Sequence, residues 1–94
     1  MALFMVVALG QSAPLIDVAI LQKFPTSFYK LEAGKWFISS TFQTSKELSD
    51  ALGITSDPPM LPALGVATGV VVAIKGYYGR GPSDMWEWVA AKFA

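Results

Sequence analysis

Histidine and cysteine are absent from this 94-residue chain, and its carboxylates number only seven. Without imidazole or thiol there is no Ser-His-Asp or Cys-His nucleophile, no zinc site of the usual ligand set and no thiol redox chemistry. The missing cysteines also exclude a disulfide-stapled secreted scaffold. Charge is scarce: Lys and Arg together also number seven, so the formal net charge is zero and charged residues make up 15% of the chain. A neutral chain has no general electrostatic attraction to nucleic acid or anionic lipid, so any such binding has to be local and shape-driven. Apolar residues reach 53%, which leaves much of the surface apolar. Carboxylate–metal chemistry and binding are what survive.

Long hydrophobic runs are lacking too. Residues 2–9 have the flavour of a secretory leader core, but no Lys or Arg precedes them and the run is short. Residues 60–74 are apolar, yet Pro62, Gly65 and Gly69 interrupt them. They also fall short of the ~20 residues that span a bilayer. The expectation is a cytoplasmic protein with no membrane segment. The length suits one domain over residues 1–94 with a single core.

What is present divides into recognisable elements. Leu3-Phe-Met-Val-Val-Ala-Leu9 is continuously apolar without caps and reads as a strand buried on both faces. Ser12 is placed to cap a helix with Pro14 in its first turn; Ile16, Ile20 and Phe24 form one stripe, and Pro25 ends it after about Lys23. Residues 27–31 and 35–39 flank Glu32-Ala-Gly34, a hairpin with Gly34 supplying positive φ in a three-residue loop. Thr44-Ser-Lys-Glu47 is a capping box, and Gly53 ends that helix in the left-handed conformation, with Ile54 following. Residues 55–65 carry Pro58, Pro59 and Pro62 and read as a loop. Residues 68–75 are the last strand, and a helix begins at about Ser83 with Met85, Trp88, Val89 and Phe93 on one face and Trp86 and Ala90 bordering it.

The order β-α-β-β-α-β-α starts with a split βαβ arrangement. The fold predicted is therefore α+β: a ferredoxin-like sheet with the first and third strands central, both helices on one face, and an additional C-terminal helix. The double-sided apolar character of residues 3–9 demands a cover for the second face. The terminal helix can supply it, and so can a second subunit, which predicts a homo-oligomer, a dimer in the simplest case.

The segments Phe24-Pro-Thr-Ser-Phe-Tyr-Lys-Leu31 and Lys35-Trp-Phe-Ile-Ser-Ser40, the polar helix Ser45-Lys-Glu-Leu-Ser-Asp-Ala-Leu52, a Val-rich last strand, the stretch 76–81 and Trp86/Trp88 together resemble a family of small ferredoxin-like dimers related to the CRISPR-associated metal-dependent endonucleases. In the endonuclease branch an Asp near the end of the first strand binds a shared metal. Here that place reads Ala8-Leu-Gly-Gln11, without a carboxylate. The resemblance implies a non-catalytic member.

The candidate ligand site is Gly76-Tyr-Tyr-Gly-Arg-Gly-Pro-Ser83. Backbone N–H groups of Gly79 and Gly81, the Arg80 guanidinium and the Ser83 hydroxyl suit an anion at a helix start, and Tyr77 and Tyr78 offer stacking faces for a base. The spacing matches neither the Walker nor the dinucleotide fingerprint, and Asp84 would repel a phosphate. On the competing account the glycines merely permit a sharp turn. Trp86 and Trp88, two apart on a helix, cannot share a face, so they are the candidate interface residues. Trp36 reads as core. Asp50, Asp57 and Asp84 share no short metal motif, and Ser39, Ser40 and Thr41 have no general base to activate them. No catalytic residue, metal or cofactor is assigned. Two functions follow: a non-catalytic homo-oligomeric module that binds a protein partner, or a nucleotide or single-stranded nucleic-acid binder using the 76–83 loop and helix N-terminus.

Overall fold

The computed structural model describes residues 2–55 and 67–92. Seven elements follow one another: β1 (Ala2–Ala8), α1 (Ala13–Lys23), β2 (Phe28–Glu32), β3 (Lys35–Ser40), α2 (Ser45–Ala51), β4 (Gly69–Ala73) and α3 (Ser83–Lys92). The fold is α+β, with four strands in one antiparallel sheet of order β2-β3-β1-β4. β1 and β3 are central, and β2 and β4 are the edges. The expected loop at 55–65 lies almost wholly outside the described residues, as do Asp57 and Phe93.

Alternation along β1 feeds two cores. Phe4 and Val6 are fully buried with Trp36 and Ile38 of β3 against Ile16 and Ile20 of α1 and Leu48 and Leu52 around α2. Leu3 points the other way and packs with Phe37, Met85 and Val89, so α3 covers the β1–β3 part of the second face. Each fully buried aliphatic side chain contributes roughly 1.5–3 kcal/mol of transfer free energy. That is why an uncapped apolar run becomes a central strand.

Local chemistry sets the ends of α2. The Glu47 N–H donates to Thr44 Oγ1 at 3.2 Å, and the Thr44 N–H donates to Glu47 Oε1 at 3.1 Å, completing the capping box. At the other end Gly53 has φ +82°, its N–H donates to the Asp50 carbonyl and the Ile54 N–H donates to the Ser49 carbonyl. This pair of bonds is the Schellman closure, which a side chain with Cβ adopts only under strain.

Three local expectations need correction. Ser12 precedes α1, but its side chain makes no cap bond. Its Oγ accepts the Thr68 N–H at 2.9 Å and lies 3.0 Å from Thr68 Oγ1, so it ties the β1–α1 turn to the start of β4. The hairpin loop is shorter than expected: Glu32 pairs with Lys35, leaving Ala33 and Gly34, and the register shifts between Lys30 and Glu32 to absorb the extra residue. β4 is also shorter than residues 68–75: it spans Gly69–Ala73, with Thr68 and Ile74 each making one further backbone bond at its ends, to Leu9 and Leu3.

Candidate functional site

The 76–82 segment runs from the end of β4 to the start of α3. Tyr77 stacks on Trp86 with ring centroids 5.9 Å apart and planes 20° apart. Tyr78 projects wholly into solvent at 103% relative exposure. Together with Gly79 and Ala90 they line an open apolar depression of about 340 Å³. A second depression of the same size is lined by Tyr29, Glu32, Lys35, Arg80, Gly81 and Met85, among others. The predicted ligand residues therefore divide: Tyr77, Tyr78 and Gly79 border the aromatic hollow, Arg80 and Gly81 border the charged one, and Ser83 lines neither.

Electrostatics differ between the two hollows. The Tyr29 hydroxyl donates to Asp84 Oδ2 at 2.7 Å. That bond, with burial and the carboxylate's charge adding to it, raises the Tyr29 pKa above its ordinary value. Lys35 sits 3.4 Å from Glu32, and Arg80 is exposed. Asp84 thus sets a negative charge in the first turn of α3, where a phosphate would have to approach. The site offers π faces and a guanidinium, with no acid–base pair of matched carboxylates.

The glycines of this segment are not conformational necessities. Positive φ occurs at Gly10, Gly34 and Gly53, and not at Gly76, Gly79 or Gly81, which corrects the sharp-turn expectation. A Cβ on Gly76 would meet nothing within 4 Å, and one on Gly79 would only graze Trp86 at 3.9 Å. Gly81 is different: its Cβ would come within 2.7 Å of Met85 Cε, the swinging end of a flexible side chain.

The two tryptophans of α3 part company, as their spacing requires. Trp88 lies parallel to Phe37 at 6.5 Å and tilted against Tyr29 at 5.9 Å, so its ring rests on its own sheet. Trp86 turns towards Tyr77, and both tryptophans are half-buried. Trp36 is fully buried in the first core.

The other residues weighed for chemistry have structural occupations. Asp50 accepts from Lys46 Nζ at 2.8 Å and from the Thr55 hydroxyl; these bonds, in that order, hold its carboxyl below the ordinary range despite an opposing contribution from burial. Ser39 and Ser40 are buried, and Ser40 Oγ accepts the Phe42 N–H at 3.1 Å. Among the described residues no group of three or more Asp or Glu side chains is gathered to hold a metal ion. No helix among them is long and apolar enough to cross a membrane.

Sequence reasoning named the apolar second face as needing a cover but did not locate the part of it that stays open, a stripe at the sheet edge. Val70 and Val72 are 46% and 48% exposed, on the same face as the partly buried Met5 and Val7. α3 packs over Leu3, Phe37 and Tyr29, and leaves these valines open. The signal was available: a split βαβ order with the first and third strands central makes the last strand an edge. Compared with known protein families, with curated proteins and with solved structures, the chain matches none.

Proposed function

We propose that this chain is a non-catalytic, cytoplasmic binding module of ferredoxin-like fold that works as a homo-oligomer. The strand order, with β1 and β3 central and the two crossover helices on one face, supports the fold. The observation that carries the functional reading is the apolar stripe of Val70 and Val72 left uncovered beside α3. Exposed apolar surface at a sheet edge is costly in water and is a common site of protein association. The non-catalytic reading rests on the absence of His and Cys and on a β1 end, Ala8-Leu9-Gly10-Gln11, without the carboxylate of the endonucleases it resembles.

Sedimentation velocity over a dilution series tests it. The expected result is a mass that rises above the 10.1 kDa monomer with concentration and depends little on salt. A monomer at every concentration would refute it.

A second reading, a nucleotide or single-stranded nucleic-acid binder, is favoured by one specific feature: Tyr78 fully exposed beside the Tyr77–Trp86 stack. Base stacking on such a platform contributes ~1–3 kcal/mol per base. A thermal-shift screen of nucleotides and short oligonucleotides reads it, with Y78A and R80A as controls. A shift lost in both variants supports the reading, and no shift with any probe refutes it.

A further inference from the structure

The β1–β4 ladder fixes which backbone groups of β4 look outward. The Leu9 N–H donates to the Thr68 carbonyl and the Ile74 N–H donates to the Leu3 carbonyl. With the register Met5↔Val72 and Val7↔Val70, these bonds put residues 68, 70, 72 and 74 in the phase that bonds β1. Gly69, Val71 and Ala73 therefore direct their N–H and C=O groups away from the sheet, and among the described residues no strand pairs with them.

The two edges are treated differently. β2 carries Lys30 and Glu32 and is interrupted by a register shift, devices that discourage strand addition. β4 is Gly-Val-Val-Val-Ala, with no charge, no proline and no bulge. It is a ready template.

We infer that β4 pairs antiparallel with β4 of a second copy about a two-fold axis through Val71, joining two sheets into one continuous sheet. This inference rests on the homo-oligomer reading and specifies its surface. The occupant follows from self-complementarity. Centred on Val71, the pairing brings Val71 opposite Val71 and Gly69 opposite Ala73, so the outward groups exchange up to about six backbone hydrogen bonds. Val70 of each copy then sits opposite Val72 of the other, and the four valines close into one apolar patch on the α3 side. The strand has no charge to repel its own copy. The nearest, Lys75, is carried to opposite ends of the new pair, roughly 25 Å apart at 3.3 Å per residue. Five residues of edge bury less than the ~800 Å² per partner of a standard interface, so the dimer is expected to dissociate on dilution.

The cysteine-free chain makes a register test direct. V70C and V72C are each prepared alone, then mixed in equal amounts under mild oxidation. Opposed positions 70 and 72 are a non-hydrogen-bonded pair with Cα atoms about 4.5 Å apart, within disulfide reach. The expected result is a cross-linked dimer in the mixture and little in either variant alone. In parallel, amide exchange of the unmodified protein is followed against concentration. Gly69, Val71 and Ala73 should gain protection as the dimer forms, while Val70 and Val72, already bonded to β1, change little.

A concentration-dependent dimer without selective cross-linking, or without the alternating protection, overturns the edge pairing and leaves the homo-oligomer reading standing. Protection at 69, 71 and 73 that is independent of concentration means intramolecular cover and also overturns it. A monomer throughout overturns both. V72K, a charge on an already exposed side chain, should abolish the dimer with the monomer's thermal transition retained; a dimer that survives V72K counts against the pairing.

Discussion

Substituting Gly69 by Ala probes the close approach of β4 to β1 with a single methyl group. The new Cβ would lie 2.8 Å from the Val7 carbonyl oxygen, 3.2 Å from Ile16 Cδ1 and 3.3 Å from Ile54 Cδ1. The nearest atom is backbone within the sheet, so no rotamer change relieves it. Gly69 does not have positive φ, so the change carries no conformational penalty and gains about 0.4–1 kcal/mol from a less flexible unfolded chain. Overpacking opposes this with about 1–3 kcal/mol. The net expectation is a loss of about 1–2 kcal/mol, or roughly 5–15 °C in Tm for a domain of this size. G76A is the internal control: with nothing within 4 Å it should be neutral or stabilising by up to about 1 kcal/mol. Urea unfolding followed by tryptophan fluorescence, with equal slopes for all three proteins, measures both. If G69A matches the unmodified protein, or G76A falls as far as G69A, the packing of β4 against β1 described above is wrong.

Other substitutions test separate pieces of the fold. Among the described residues the Trp36 indole N–H is buried without a partner. W36A should therefore cost about 3–5 kcal/mol, and W36F much less, because it also removes an unpaired donor worth ~1–3 kcal/mol; equal losses in chemical denaturation would refute this. S12A removes the acceptor of the Thr68 N–H and should cost about 1 kcal/mol. It should do so with the helicity of α1 unchanged by circular dichroism, since Ser12 makes no cap bond. T44A should cost about 0.5–2 kcal/mol through the lost capping box, read by the same unfolding curves. pH acts at both extremes. Asp50 is held below its ordinary pKa, so its contribution is present above that ordinary value and lost as pH falls through the depressed one. Tyr29 is raised, so its contribution is present below the ordinary tyrosine value and lost as pH rises through the raised one. D50N should flatten the acid limb of stability against pH, and Y29F the alkaline limb; an unchanged limb in either case assigns it to other groups.

Elements defined by short-range chemistry were legible from residues alone. Thr44 and Glu47 announced the capping box, Gly53 the helix end, and the bulk of residues 3–9 a central strand, although Met5 and Val7 are only partly buried and Leu9, 48% exposed, lies beyond its end. Features decided by distant partners were less so. Ser12 has every local reason to cap α1, yet a more profitable acceptor role appears only when Thr68 arrives beside it. The three glycines of the 76–83 segment look like turn residues because composition does not reveal φ. The candidate ligand residues are adjacent in sequence, and whether they line one hollow or two depends on how the 76–82 segment lies over Trp86 and Met85, which no spacing encodes. The exposure of Val70 and Val72 follows from the sheet order, not from the residues themselves.

The central place of β1 has a kinetic consequence. β1 ends up between two strands made after it: Val6 pairs with Trp36 on one side and with Val71 on the other. Closing the loop to β4 must be completed before its contacts are gained, which slows folding in proteins dominated by long-range pairing. An apolar strand therefore waits on the ribosome with one edge open until most of the chain has emerged. Stopped-flow refolding should place closure of β4 late: V71A is expected to accelerate unfolding more than it slows folding, whereas I38V in the β1–β3 pair should act mainly on the folding rate. Nascent chains halted before residue 69 would then present the open side of β1 to chaperones, and release of that binding would time the moment the sheet is finished.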